Sequence, residues 1–100
     1  MNPRRTRRWT FLTNHAHVLL CLRADPAARA LDVARRVRIT ERAARRIIRD
    51  LERERYLVIR KDGRRNRYTI NGGKPLRHPA FGRHRIAALL RLAGRARGRD

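Results

Sequence analysis

One hundred residues allow a single domain with a thin core, and 28 Lys and Arg against 8 Asp and Glu give a formal charge of +20, a surface that attracts phosphate. The single cysteine, Cys21, excludes an intramolecular disulfide, and the longest unbroken apolar runs, Val18 to Leu22 and Ile86 to Leu90, fall far short of the ~20 residues of a membrane span. Only Lys61 and Lys74 are lysines, so the charge is almost wholly guanidinium and its placement must carry any function.

The start, MNPRRTRRWTFLTNH, lacks the apolar stretch and small-residue cleavage site of a signal peptide. A cytoplasmic, nucleoid-associated location is the expectation. Met1 to Arg8 reads as a flexible basic arm in which Arg4, Arg5, Arg7 and Arg8 supply sequence-independent attraction. Trp9, Phe11 and Leu12 are the first residues able to anchor to a core, and residues 9–72 form the expected domain.

Thr13 or Asn14 suits the N-cap of a first helix that runs to about Arg23, with Val18, Leu19, Leu20 and Leu22 apolar, and Asp25-Pro26 stops it. A connection from Ala27 to Leu31 leads to Asp32, predicted to cap a short second helix through Val37 in which Val33, Ala34 and Val37 share a face. Arg38 and Ile39 make the next turn.

Thr40 then caps a third helix, with Glu41 at its first position, where a carboxylate favours the helix dipole. On a wheel of about 100° per residue, Ala43, Ala44, Ile47, Ile48 and Leu51 fall in an arc of about 140°. Arg42, Arg45, Arg46, Arg49 and Arg53 fall in an arc of about 100° centred opposite. One face packs; the other is a guanidinium stripe that no acid interrupts.

The stretch YLVIRKDGRRNRYTI, residues 56–70, reads as a hairpin with Leu57, Ile59, Tyr68 and Ile70 on one face. Its turn is either the pair Asp62-Gly63 or the longer Gly63 to Asn66. Lys61, Arg64, Arg65 and Arg67 make the tip basic in both registers. Residues 73–100 follow as a loop and a C-terminal helix with a basic tail, Pro79 and Gly82 closing the loop and Ile86, Leu89, Leu90 and Ala93 forming an apolar stripe. Folding back on the first helix would bury that stripe, as would a partner. A homodimer through this helix is the expectation. The fold class is therefore mainly α with a small β-hairpin, three core helices carrying a hairpin and a C-terminal helix.

The run LDVARRVRITERAARRIIRDLE followed by YLVIRKDGRRNRYTI resembles the winged helix-turn-helix of bacterial transcriptional regulators, broadly of the MarR and ArsR type. The resemblance covers about residues 10–71 and rests on Ala34 at the helix crossing, Val37 and Ile39 flanking the turn, Ile47 and Leu51 on the packed face, Tyr56-Leu57 entering the wing, and GRRNRY within it. PLRHP at 75–79 followed by a helix is similar to small stand-alone regulators of this kind. Arg38 and Arg55 stand where the family often has glycine, so both turns are open to rebuilding, because a positive φ costs a non-glycine residue about 1 kcal/mol.

The resemblance implies a transcriptional regulator that places the third helix in the major groove of double-stranded DNA and the wing on the minor groove or backbone. Arg42, Arg45, Arg46 and Arg49 are the expected base or phosphate contacts, since a guanidinium fork matches guanine O6 and N7 or two phosphate oxygens. Arg53, a turn further on, is at best a backbone contact. Arg38, Arg64, Arg65 and Arg67 complete the expected interface. Thr40 is a cap or a phosphate donor, and Glu41 compensates the dipole or accepts from a cytosine amino group.

Other chemistry is thinly supported. His17 and Cys21 share a helix face but make half a metal site, so no metal or cofactor is expected and Cys21 reads as a core thiol. His78 reads as a hydrogen-bonding loop residue. Gly72-Gly73-Lys74 lacks a phosphate-loop context, no nucleophile and base assemble, and no small-molecule pocket is evident, so no enzyme is expected. The competing classes are a non-specific architectural or RNA-binding protein and a winged-helix protein-interaction module.

Overall fold

The computed structural model describes residues 9–93; the expected basic arm over residues 1–8 and the basic tail lie outside the described residues. Three helices come first: α1 (Asn14–Ala24), α2 (Ala30–Val37) and α3 (Glu41–Arg53). An antiparallel hairpin follows, β1 (Leu57–Asp62) and β2 (Arg65–Ile70), then a 3-10 turn at Pro79–Phe81 and a short helix α4 (Ile86–Leu90) that runs into a second 3-10 turn at Arg91–Ala93.

Helices α1 and α3 begin where the sequence supplies an N-cap acceptor. Thr13 caps α1, its hydroxyl accepting from the Ala16 amide at 3.2 Å. Thr40 caps α3 in the same way through Ala43 at 3.0 Å. The α2 start departs from expectation: Ala30, not Val33, opens the helix, so Asp32 is its third residue rather than its N-cap. Asp32 still serves the terminus, because its carboxylate reaches back to accept from the Arg29 amide at 3.2 Å. Arg29 has no side-chain acceptor to return that bond, which leaves half of a capping box.

The helix ends show how arginine occupies glycine positions. Arg38 lies at φ 66° and ψ 49° after α2, and its amide and that of Ile39 both donate to the Ala34 carbonyl, at 2.7 and 3.0 Å. Arg55 lies at φ 65° after α3, where Tyr56 donates to Leu51 (2.8 Å) and Arg55 to Glu52 (2.9 Å). The Arg55 turn has the paired bonds of a Schellman ending, whereas at Arg38 both amides converge on one carbonyl, that of Ala34. Neither turn is rebuilt; both retain the left-handed conformation, at about 1 kcal/mol each.

The core lies where α1 packs on α2 and α3. Val18, Leu19 and Leu22 of α1 meet Val33 and Ala34 of α2 and Ala44, Ile47, Ile48 and Leu51 of α3, all buried. The hairpin pairs Leu57 with Ile70, Ile59 with Tyr68 and Asp62 with Arg65, so the turn is Gly63-Arg64, between the two expected registers. Gly63 takes φ 68°, which glycine reaches without strain. Leu57 and Tyr68 are buried with Ile59 and Ile70 partly so, as the alternation required, while Val58 stays exposed. Tyr68 donates its amide to the Pro26 carbonyl at 2.9 Å and so ties the wing to the loop between α1 and α2.

The C-terminal segment folds onto the same core. Ile86 donates to Lys74 at 2.8 Å and Ala87 to Gly72 at 2.9 Å, while the Tyr56 hydroxyl donates to Pro75 at 3.0 Å. Ile86 and Leu90 are buried against their own chain, so the expected stripe does not require a partner to cover it. The helix is also shorter than its apolar spacing implied. Trp9 and Phe11 stack edge to face at 4.8 Å yet are 77% and 90% exposed, so they do not anchor to the core.

Candidate nucleic-acid interface

The helix-turn-helix geometry follows from Ala34, whose small buried side chain lets α2 approach α3, and from the left-handed Arg38 that turns the chain between them. Burial of Ala44, Ile47, Ile48 and Leu51 leaves Arg42, Arg45, Arg46, Arg49 and Arg53 exposed on the far side of α3. Side chains three and four residues apart share one helix face, so the stripe is continuous.

Within the stripe the arginines differ. Arg42, Arg46 and Arg49 make no ion pair with the described residues. Arg45 instead donates Nε (3.1 Å) and Nη2 (2.5 Å) to one Glu41 oxygen. Arg53 lies 3.9 Å from Asp50, a loose contact. A groove of about 690 Å³ runs between α3 and β1, lined by Arg49, Arg53, Arg55, Val58 and Asn71 among others. From sequence Arg55 is legible only as a strained turn; its place beside Arg49 and Arg53 depends on the α3 ending.

The wing arginines also divide. Arg64 is exposed at the turn. Arg65 turns back to the body and donates Nη2 to the Ala27 carbonyl at 2.9 Å, which commits part of its fork to the fold. Arg67 is exposed, 3.8 Å from Asp62. Thr40 spends its hydroxyl oxygen as the α3 cap, and Arg38 is exposed at the tip between α2 and α3.

Away from the stripe, His15 of α1 meets Asp50 of α3 at 2.9 Å across 35 residues, a contact no local spacing could announce. The hydrogen bond from His15 is the main cause holding the Asp50 carboxyl below its usual range. Cys21 is half-buried with the Arg36 Nη1 at 3.9 Å from its sulfur; burial pushes the thiol up, against the opposing pull of Arg36. A guanidinium beside the thiol also disfavours a metal cation there. Among the described residues no three His, Cys, Asp or Glu side chains cluster as metal ligands, and no helix is long and apolar enough to cross a membrane. His78 accepts from the Ala80 amide at 3.0 Å, the loop role expected of it.

The sequence showed no pocket, yet an apolar cleft of about 390 Å³ opens between α1, the C-terminal half of α3 and the C-terminal segment, lined by Leu19, Leu51, Tyr56, Leu76, Ile86 and Leu89 with His15, Asp50 and Arg77 also at its walls. Four separated stretches of chain build it, so it has no sequence signal.

No protein-family model matches the sequence, and no curated protein matches it significantly. Solved structures do. MepR, a transcription regulator of the Staphylococcus aureus multidrug efflux pump MepA, superposes over 90% of this chain and 63% of its own, with a TM-score of 0.56 and 16% identity. A MarR-family protein of Mycobacterium tuberculosis, solved in complex with salicylic acid, superposes over 82% of this chain and 60% of its own, with a TM-score of 0.52 and 24% identity. The chain spans less than two thirds of the length of each. The chain carries the winged helix-turn-helix fold seen in these MarR-type proteins.

Proposed function

We propose that this protein is a sequence-specific, double-stranded DNA-binding transcriptional regulator, not an enzyme, in which α3 enters the major groove and the basic wing lies on the minor groove or backbone. The observation that carries this reading is the exposed run Arg42, Arg45, Arg46 and Arg49 on the face of α3 opposite its buried residues. Guanidinium forks presented at helical spacing on an exposed helix face match the edge of guanine and the phosphates that flank it. Arg38 at the α2–α3 tip, Arg64 and Arg67 on the wing and Arg55 in the groove serve as backbone contacts, with Arg65 a weaker participant because Ala27 already holds it. Thr40 acts as a cap, and Glu41 acts through Arg45.

The proposed assembly is a homodimer through the C-terminal helix, acting on the nucleoid in the cytoplasm. Ile86 and Leu90 serve the monomer's own core, so the apolar area left for a partner is the outer side of this segment, where Leu92 is 68% exposed. A two-fold pair would present two α3 helices to successive major grooves and select a palindrome.

The test is selection of bound sequences from a random duplex pool at about 0.15 M salt, the physiological level, with wild type beside Arg45→Ala/Arg49→Ala. The expected result is a palindromic motif that the double variant loses. Binding without enrichment, abolished by salt equally in both proteins, would sink this reading and leave a non-specific architectural protein.

A further inference from the structure

We infer that Glu41 is a specificity-determining residue that preorients Arg45 to read one guanine, which makes Arg45 the base-reading member of the stripe and leaves Arg42, Arg46 and Arg49 to the phosphates. This deepens the DNA-binding reading and rests on it. Glu41 and Arg45 sit one turn apart at the start of α3, the end that recognition helices direct at base edges. Arg45 donates both Nε (3.1 Å) and Nη2 (2.5 Å) to a single Glu41 oxygen.

The donor count gives the pair its meaning. A guanidinium has five N–H donors in a fixed plane. Glu41 engages the Nε–Nη2 edge, so the end-on edge, one N–H on Nη1 and one on Nη2, remains free and parallel. That edge is the fork that pairs with guanine O6 and N7. Held by Glu41, Arg45 has less side-chain freedom left to lose on binding.

Charge points the same way. The Glu41–Arg45 pair is neutral as a unit, and set against a phosphate it would press a carboxylate onto a polyanion. Arg42, Arg46 and Arg49 carry no such partner among the described residues, so they suit the backbone, and the pair suits the groove floor between the strands. Thr40 already caps the helix through Ala43 at 3.0 Å, so α3 does not depend on Glu41 to begin.

The test compares wild type with Glu41→Ala, Glu41→Asp, Arg45→Ala and the Glu41→Ala/Arg45→Ala double variant by sequence selection and by binding to the selected site and to random duplex. Aspartate keeps the charge at the helix start but is one methylene too short to hold Arg45 equally. Expected is a loss of guanine preference at one position per half-site of about 2- to 12-fold in both Glu41 variants, the range for immobilising one long side chain. Arg45→Ala abolishes that preference, and the double variant matches it. Random-duplex affinity rises in Glu41→Ala, because a negative charge leaves the interface, whereas a merely structural role would lower it. An unchanged guanine preference overturns the inference, as does a lost cytosine preference with guanine intact, which would mean that Glu41 reads a base itself. A uniform loss at all positions, with lowered thermal stability, also overturns it. If wild type selects no sequence at all, the DNA-reading function itself fails, and the inference with it.

Discussion

Arg46 and Ile47 are adjacent in sequence and opposite in consequence. Ile47 is 4% exposed in the core, and truncating it to alanine removes about 2.4 kcal/mol of burial at ~0.8 kcal/mol per methylene. A partly relaxed cavity raises the cost to about 3–4 kcal/mol. For a domain of this size, with a total stability on the order of 5–15 kcal/mol, that lowers the melting temperature by more than ~12 °C. Arg46 is exposed and makes no ion pair among the described residues, so Arg46→Ala changes stability by no more than ~0.5 kcal/mol while weakening DNA binding. Urea unfolding followed by far-ultraviolet circular dichroism, beside titration of the selected duplex, reads both quantities. The two-faced account of α3 is refuted if Arg46→Ala costs more than ~1.5 kcal/mol or Ile47→Ala costs less than ~1 kcal/mol.

Other substitutions probe single contacts. Thr40→Ala removes the α3 cap and costs about 1 kcal/mol in urea unfolding, whereas Thr40→Ser restores it; a fall in DNA affinity beyond the folding defect would give the hydroxyl a phosphate as well. Tyr56→Phe deletes the hydroxyl that donates to Pro75 at 3.0 Å, costs about 0.5–1.5 kcal/mol, and speeds amide exchange at Ile86 and Ala87 by loosening the C-terminal segment. Because the Asp50 carboxyl sits below its ordinary range through His15, its contribution to stability is present above that range and is lost as pH falls through the depressed value. Asp50→Asn therefore flattens the acid limb of the stability profile, and an unchanged limb would show that the contact contributes nothing. Burial raises the Cys21 thiol, so its alkylation at neutral pH is slower than that of a free cysteine and recovers on unfolding.

What could be read in the sequence followed from periodicity and from side chains that act on their own neighbourhood. The amphipathic wheel of α3, the Thr13 and Thr40 caps and the alternation of Leu57, Ile59, Tyr68 and Ile70 all concern residues within a turn or a strand of one another, and the structure realises each. The Arg38 and Arg55 turns were legible as problems, since glycine commonly fills them. Their solution was not, because backbone bonds to Ala34, Leu51 and Glu52 hold each turn in place whatever the side chain.

The misses share a cause in competition between partners. Asp32 is a good N-cap, but the helix gains more by starting at Ala30 and letting that carboxylate reach back to Arg29. Arg65 reads as a wing-tip cation until the hairpin register brings it to the Ala27 carbonyl. Trp9 and Phe11 look like core residues by composition, yet they stack on each other and stay exposed. In the stripe itself spacing located every arginine, but the distinction between Arg45 and its neighbours appears only once Glu41 is placed beside it.

The central claim is that α3 reads bases from the major groove, and methylation interference on the selected duplex tests it most directly. Guanine N7 lies in the major groove and adenine N3 in the minor, so the two adducts report the groove separately. The account predicts that N7 methylation at one guanine per half-site blocks binding, and that Arg45→Ala removes this sensitivity. Interference by phosphate modification alone, with every N7 position tolerant, would mean that the arginine stripe grips the backbone and reads nothing.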